Sequence, residues 1–233
     1  MKEQLRKYLF LFCRFVVRSV TSRFLVSSAE DTAEPAVYVV HHQNLRGPLL
    51  CMVWFHKILR PWVLNVFCDW RSCFRQYYGY TFTQRFSLPK PLAFFLALPA
   101  SFFVAGIMKL IRAIPVFRGS RAIIETFKES VNSLIQGQSL LICPDIDYTD
   151  ASSQMGEMYR GFLDLEKYYR KRTGKHLAFI PLQISAVRRR IRIGRAVYLH
   201  AEDFKQGKEQ AYALLQREFG RLESLNEERE SLA

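Results

Sequence analysis

An uninterrupted apolar run, Ala36–Val40, passes directly into the heptapeptide His41–Gly47, and Pro48 then opens an apolar helical pattern. The run is typical of a strand buried on both faces, and a proline suits the first turn of a helix. A turn between two rigid elements presents its side chains to a cleft. His41 and His42 are therefore either candidates for catalysis or polar residues that only end the strand.

The alternation of strand and helix continues along the chain. Short apolar runs at 113–117, 139–143 and 179–184 predict strands, and apolar residues at helical spacing from Ser120 to Gly137, from about 157 to 172 and from Gly207 onward predict helices. Residues 187–198 alternate Arg with Ile or Val, which predicts a strand with one wet face.

This order of elements predicts a single α/β domain with a central mixed, mostly parallel sheet flanked by helices. An amphipathic helical segment at residues 1–30 precedes the domain, which we place at 31–203. A charged helix at 204–233 is expected to pack on the domain or to trail from it.

The charge of the chain restricts its partners. Lys and Arg number 34 against 21 Asp and Glu, a formal net charge of +13, which favours nucleic acid or an anionic lipid surface. Arg188–Arg190 stands without any nucleic-acid-binding signature, so we interpret it as a solvated strand face or a lipid contact and expect no nucleic-acid partner. The five cysteines are odd in number and form no C-x-x-C pair, which predicts reduced thiols in an intracellular protein and no metal site.

The N-terminal segment raises the question of membrane binding. Along a helix from residue 5 to 26, Lys7, Arg14 and Arg18 fall on one narrow stripe, and the rest of the surface is aromatic and aliphatic. Such a helix lies in a membrane interface, or it packs its apolar face against its own domain. The sequence leaves both alternatives open.

A second apolar segment, Pro91–Met108, carries no charge and just reaches the length of a membrane span. Pro99 at its centre predicts a bent hairpin or a pair of helices that is buried or dips into the interface, not a span. Together with the charge, this segment predicts peripheral or monotopic attachment on the cytoplasmic side of a membrane.

Three further segments form an ordered set with the histidine turn. The four motifs are His42-Gln43-Asn44, Ile114–Gly119, Cys143-Pro144-Asp145 and Ile180–Ile184. Their order and spacing resemble the phospholipid/glycerol acyltransferase family, which includes the 1-acylglycerol-3-phosphate acyltransferases, over about residues 36–200. That family carries Asn-His-x-Ser-x-x-Asp, a segment ending in an arginine, Phe-Pro-Glu-Gly-Thr-Arg, and Val-Pro-Val.

The resemblance implies an acyltransferase that moves a fatty acyl group from acyl-CoA or acyl-carrier protein to a glycerophosphate-type or lysophospholipid acceptor, without a bound cofactor. His42 falls on the family histidine, which is the general base. Arg118 falls on the arginine that binds the phosphate of the acceptor, followed by Gly119. Asn44, Pro144 and Tyr148 fall on further substrate-binding positions. Tyr148 replaces a basic residue, which predicts an acceptor with less negative charge than lysophosphatidate.

The family aspartate is Gly47 in this chain, and this difference bears on the chemistry. A neutral imidazole suits the removal of a hydroxyl proton, and an acid on its other ring nitrogen fixes the tautomer. We therefore expect Asp145 or Asp147 to approach His42 and to act as the missing partner; alternatively, these aspartates form local Asx turns. If nothing replaces the acid, the chain is a catalytically inactive relative that binds lipid or a partner protein through the retained cleft.

Overall fold

The computed structural model describes residues 2–28, 34–147, 149–200 and 203–227. Within these ranges the helices are α1 (Lys2–Val20), α2 (Arg46–Trp54), α3 (Trp70–Gln76), α4 (Lys90–Leu110), α5 (Ile123–Ile135), α6 (Leu165–Thr173) and α7 (Phe204–Glu227). The strands are β1 (Leu25–Ser28), β2 (Ala36–Val40), β3 (Arg60–Leu64), β4 (Ile114–Val116), β5 (Leu140–Ile142), β6 (Ala178–Ser185) and β7 (Arg190–Ile193). A π-helix spans Tyr77–Arg85, and 3-10 helices span Asn65–Phe67 and Arg160–Asp164.

The chain divides into two compact units, a smaller one of residues 1–13 with 60–126 and a larger one of residues 14–59 with 127–233. In the larger unit the strands lie in the order β1-β7-β6-β2-β5. β2 runs parallel to both of its neighbours, with Val39 opposite Ile142 of β5 and Pro181 of β6, whereas β6 and β7 are antiparallel. The predicted α/β class, a mixed and mostly parallel sheet flanked by helices, is confirmed.

The central position of β2 follows from its sequence. All five of its residues are buried, as expected for a strand covered on both faces. Just after α2, Phe55 packs edge-on against the ring of Tyr38 at 5.0 Å between centroids. Helix α7 packs on β6. Its predicted apolar side is buried and consists of Ala211, Leu215, Phe219 and Leu222. Because β2 and β5 are parallel, the segments that follow them meet at the same edge of the sheet.

The last predicted strand is shorter than expected. The expectation covered residues 187–198, but β7 is only Arg190–Ile193. A turn precedes it, in which Arg189 has a left-handed φ of 49° and donates its backbone N–H to the carbonyl of Ala186. After β7 the chain leaves the strand, and Val197 forms an isolated antiparallel bridge with Phe179. Alternation of side chains alone does not reveal where such a strand ends.

In the smaller unit, the expected break at Pro99 is wrong, because α4 is one continuous helix of 21 residues. Four small residues at intervals of four are buried along one side of it: Ala93, Ala97, Ser101 and Ala105. They allow α4 to approach α3 and the π-helix closely, and stacking of Trp70 on Phe102 at 4.6 Å adds to the contact. This packing outweighs the backbone hydrogen bond that Pro99 cannot make.

The large side chains of α4 point to solvent. The α4 apolar face consists of Leu92, Phe94, Phe95, Leu96, Leu98, Phe102 and Phe103, all exposed. Within the described residues, α4 alone is long and apolar enough to cross a membrane by length and composition, and 22% of its most apolar window is buried. Exposed apolar surfaces of this kind are common at contacts with membranes or with other proteins.

Two cations of the stripe predicted on α1 bind the domain itself. Arg14 is buried, and it donates hydrogen bonds to the carbonyls of Val53, at 2.8 Å, and Phe55. Arg18 also donates to the Val53 carbonyl, at 2.7 Å. These bonds satisfy carbonyls at the carboxyl end of α2, so Arg14 and Arg18 contact the domain. The expected packing of the apolar face against the domain is not found, because Tyr8, Phe12 and Phe15 are exposed. Burial, and then the charge of Arg18, lower the pKa of Arg14 to about 10.

Candidate active site at the end of β2

The turn after β2 has an unusual backbone. Gln43, Asn44 and Leu45 have positive φ angles of 47°, 49° and 75°, a conformation that is uncommon for residues other than glycine. The buried side chain of Gln43 holds the turn to the sheet, because its Nε2 donates to the carbonyl of Ile184 at 3.1 Å. Backbone strain of this kind persists only where the surroundings impose it, and it clusters at functional sites.

Gly47 lies against the backbone of the same turn. A Cβ atom at this position would lie 1.9 Å from the carbonyl oxygen of His41 and 3.2 Å from that of His42. The N–H of Gly47 donates to the His42 carbonyl at 3.1 Å. No side chain fits at residue 47 without a rearrangement of the turn.

The acidic residue of the site comes from the segment that follows β5. Asp145, which follows β5, is buried, and its Oδ1 pairs with Nδ1 of His41. The same carboxylate accepts the backbone N–H of His42, at 3.1 Å from each oxygen. A backbone bridge between Asp145 and Met158 fixes the loop at this point. The sequence predicted a contact of Asp145 with the ring of His42, whereas its carboxylate contacts the ring of His41 and the backbone N–H of His42.

His41 is enclosed. Its side chain is 3% exposed, and within the described residues its Nε2 makes no hydrogen bond of good geometry. The nearest acidic oxygen to Nε2 is Oδ2 of Asp150, at 3.8 Å. Burial by itself lowers the pKa of His41, but the hydrogen bond and charge of Asp145, the charge of Asp150 and the backbone of Ser152 outweigh it, and the pKa is raised.

The ring of His42 is partly exposed and engaged differently. Its Nδ1 accepts the backbone N–H of Leu45 at 3.1 Å, a bond made within the turn itself. With Nδ1 accepting, the neutral ring carries its proton on Nε2. The two adjacent histidines therefore have opposite hydrogen-bonding patterns, since Nδ1 of His41 faces a carboxylate and Nδ1 of His42 faces an N–H.

The remaining loop carboxylates form the local turns that were the alternative expectation. Asp147 accepts the N–H and the hydroxyl of Thr149, at 2.9 and 2.6 Å, and these bonds lower the pKa of Asp147. Asp150 accepts the N–H and the hydroxyl of Ser152, at 2.8 and 2.9 Å. The expected approach of Asp147 to His42 is thus replaced by an Asx turn.

The other predicted site residues lie in both units. Asn44 is exposed in the turn and Pro144 is buried after β5, both in the larger unit. Arg118 and Gly119 are exposed in the smaller unit, where Gly119 has a φ of 69°. Tyr148 lies outside the described residues.

The thiols and possible metal ligands near the turn add no further chemistry. Burial raises the pKa of the Cys51 thiol and that of the Cys143 thiol, so both stay protonated at neutral pH and are poor nucleophiles. Among the described residues, no group of three or more His, Cys, Asp or Glu side chains is placed to hold a metal ion.

The fold is similar to that of a solved enzyme. The chain matches the crystal structure of the 1-acyl-sn-glycerophosphate (LPA) acyltransferase PlsC from Thermotoga maritima, with a TM-score of 0.55 and 11% sequence identity. The match covers 96% of this chain and 83% of that chain. No family model and no curated protein matches the sequence. At this identity the similarity establishes an acyltransferase-like α/β fold and nothing finer.

Sequence reasoning missed His41 as the partner of Asp145. The pair of histidines was visible, but the motif order directed attention to His42 alone. The parallel pairing of β2 with β5 brings Asp145 to the edge where His41 leaves the sheet, and that pairing is absent from any local pattern.

Proposed function

We propose that the protein is an acyltransferase that moves a fatty acyl group from an acyl thioester to a hydroxyl of a glycerophosphate-type or lysophospholipid acceptor. The observation that carries the proposal is the paired His41 and Asp145 at the end of β2 and β5, on a fold similar to that of an LPA acyltransferase. A histidine held by a buried carboxylate is the arrangement that general-base catalysis of acyl transfer needs.

The chemistry is a single exchange of an acyl group. An imidazole of the His41-His42 pair takes the proton of the acceptor hydroxyl as its oxygen attacks the thioester carbonyl. The C–S bond then breaks, and the proton passes to the departing thiolate, so the products are an ester and a free thiol. We assign binding of an acceptor phosphate to Arg118, because a guanidinium offers forked donors that match phosphate oxygens.

The proposed substrates are lipids, and the α4 apolar face supports access to them from a membrane surface. Phe95 and Phe103 are 72% and 69% exposed on a chain with a net charge of +13. Apolar side chains that enter the boundary between headgroups and acyl chains, together with attraction to anionic headgroups, give reversible peripheral binding.

The double variant Phe95→Ser and Phe103→Ser is expected to weaken binding to anionic liposomes about a hundredfold. Each buried phenylalanine contributes roughly 1.5 kcal/mol or more, and about 1.4 kcal/mol corresponds to a tenfold change in affinity. Co-flotation with vesicles containing phosphatidylglycerol measures the effect, and higher salt should weaken the binding of the unmodified protein. Val187→Ser, at a side chain 89% exposed outside α4, serves as the control. Equal flotation of the two variants would show that α4 is not part of the surface that binds the membrane.

Product formation tests the function itself. Purified protein is incubated in mixed micelles with acyl-CoA or acyl-carrier protein as donor and with lysophosphatidate, other lysophospholipids or glycerol phosphate as acceptor. Mass spectrometry then detects the acylated lipid. We expect one donor and acceptor pair to give product with the unmodified protein, and the double variant His41→Gln, His42→Gln to give none. Equal product with both proteins would refute histidine catalysis.

The second candidate function is that of a catalytically inactive relative that binds lipid or a partner protein through the same cleft. Two observations favour it: the enclosure of His41 Nε2 and the engagement of His42 Nδ1 by Leu45. Absence of product with every donor and acceptor, combined with retained liposome binding, would select this alternative.

A further inference from the structure

We propose that His41, and not His42, is the proton acceptor in this chain, and that Asp145 is its positioning residue. This inference rests on the proposed acyl transfer and names the base within it. It departs from the motif order, which places the family histidine at residue 42.

The hydrogen bonds of His42 make it unsuited to the role. A base must present a lone pair to the substrate. With Nδ1 accepting the Leu45 N–H, the neutral ring of His42 has its proton on Nε2 and would present that proton instead. To act as a base, His42 would have to break this bond and change tautomer. The bond lies within the strained turn of three left-handed residues, which Gln43 also holds to the sheet.

The hydrogen bonds of His41 have the polarity that the role requires. Nδ1–H donates to the Asp145 carboxylate, which leaves the lone pair of the neutral ring on Nε2. Asp145 is 4% exposed and is itself held by the His42 backbone N–H, so the carboxylate has little freedom to turn away. Nε2 lies on a side chain only 3% exposed and faces Asp150 and the backbone of Ser152, but it makes no hydrogen bond of good geometry among the described residues, which is costly unless a ligand uses it.

Part of the segment of residues 149–156 faces Nε2. The segment lies between Asp145 and Met158, which form a backbone bridge, and it places Oδ2 of Asp150 3.8 Å from Nε2 of His41. Two hydrogen bonds attach the segment to other parts of the larger unit. Gln183 Nε2 donates to the Ser153 carbonyl at 2.6 Å, and the Ser153 hydroxyl donates to the Glu223 carboxylate at 3.0 Å. The Asp150 side chain is 36% exposed, so it extends from the surroundings of Nε2 to solvent. We assign to the acceptor hydroxyl the place next to Nε2 that Asp150 now faces.

Single substitutions separate the two histidines. His41→Gln is expected to lower kcat/KM by at least a hundredfold, the range that loss of a general base produces, and His42→Gln by less than tenfold. Circular dichroism and thermal denaturation of both variants establish that they are folded. Retained activity in His41→Gln together with loss in His42→Gln would overturn the inference while leaving the proposed acyltransferase intact.

Ring nitrogen spectra of protein labelled with ¹⁵N-histidine provide a second readout that needs no activity and no folded variant. Neutral His41 is expected to be protonated on Nδ1 and neutral His42 on Nε2. The opposite pair of tautomers would overturn the inference even if the protein is active. If the protein forms no product with any donor and acceptor, the proposed function fails and the inference fails with it.

Discussion

Replacement of Gly47 by alanine is expected to lower the unfolding free energy by more than about 4 kcal/mol, or to prevent folding altogether. Single substitutions rarely cost this much, and a steric clash with backbone is one of the few causes. The added Cβ would lie 1.9 Å from the carbonyl oxygen of His41, far inside van der Waals contact. The clash is with backbone, so no side chain can move aside. The carbonyl belongs to a turn that Gln43 and Asp145 hold to two strands.

Gly220→Ala is the matched control for Gly47→Ala. Gly220 lies within α7, and an added Cβ there would meet nothing within 4 Å, so alanine should stabilise the helix by up to about 1 kcal/mol. Urea denaturation followed by circular dichroism measures both changes. Similar stability of the two variants would show that the turn accommodates a side chain at residue 47. For the same reason, Gly47→Asp is expected to disrupt the turn.

Asp145→Asn is expected to lower acyl transfer by at least a hundredfold. Neutralising the acid that orients a catalytic histidine costs about four orders of magnitude in serine proteases, because the ring is then held in the wrong tautomer. An asparagine also leaves a buried amide among groups arranged for a carboxylate, since His41 and the His42 N–H both donate to it.

Asp147→Asn is the matched comparison, because it makes the same change two residues away on an exposed Asx turn. Its activity should stay within a few fold of that of the unmodified protein. Initial rates at saturating donor measure both variants. Equal losses would mean that the loop as a whole matters and that Asp145 has no particular relation to the base.

The sequence was most informative where a local pattern decides the structure. The runs that became β2, β5 and β6 are continuous and apolar, and burial on both faces follows from that property. The apolar side of α7 was predictable because four residues at helical spacing must turn together toward the core.

The sequence was least informative where distant segments compete with a local rule. Pro99 by itself predicts a break in the helix. The row of small residues from Ala93 to Ala105, however, lets α4 pack so closely on its neighbours that the helix stays continuous. Arg14 falls on a cationic stripe by spacing alone, and only the position of α2 shows that it is buried. His41 and Asp145 are 104 residues apart, and only the parallel register of β2 with β5 brings them together. No single-sequence pattern carries that register.

The pH dependence of kcat/KM, measured for the unmodified protein and for Asp145→Asn, tests the central claim most directly. A base must be neutral to act, so activity should rise with pH through the pKa of His41, which lies above the ordinary value of about 6.5. Asp145→Asn removes the charge that raises the pKa of His41 most, while burial still lowers that pKa, so the midpoint of the residual activity should move to lower pH. A midpoint that is the same in both proteins would contradict the pairing of His41 with Asp145 as the proton-transferring unit.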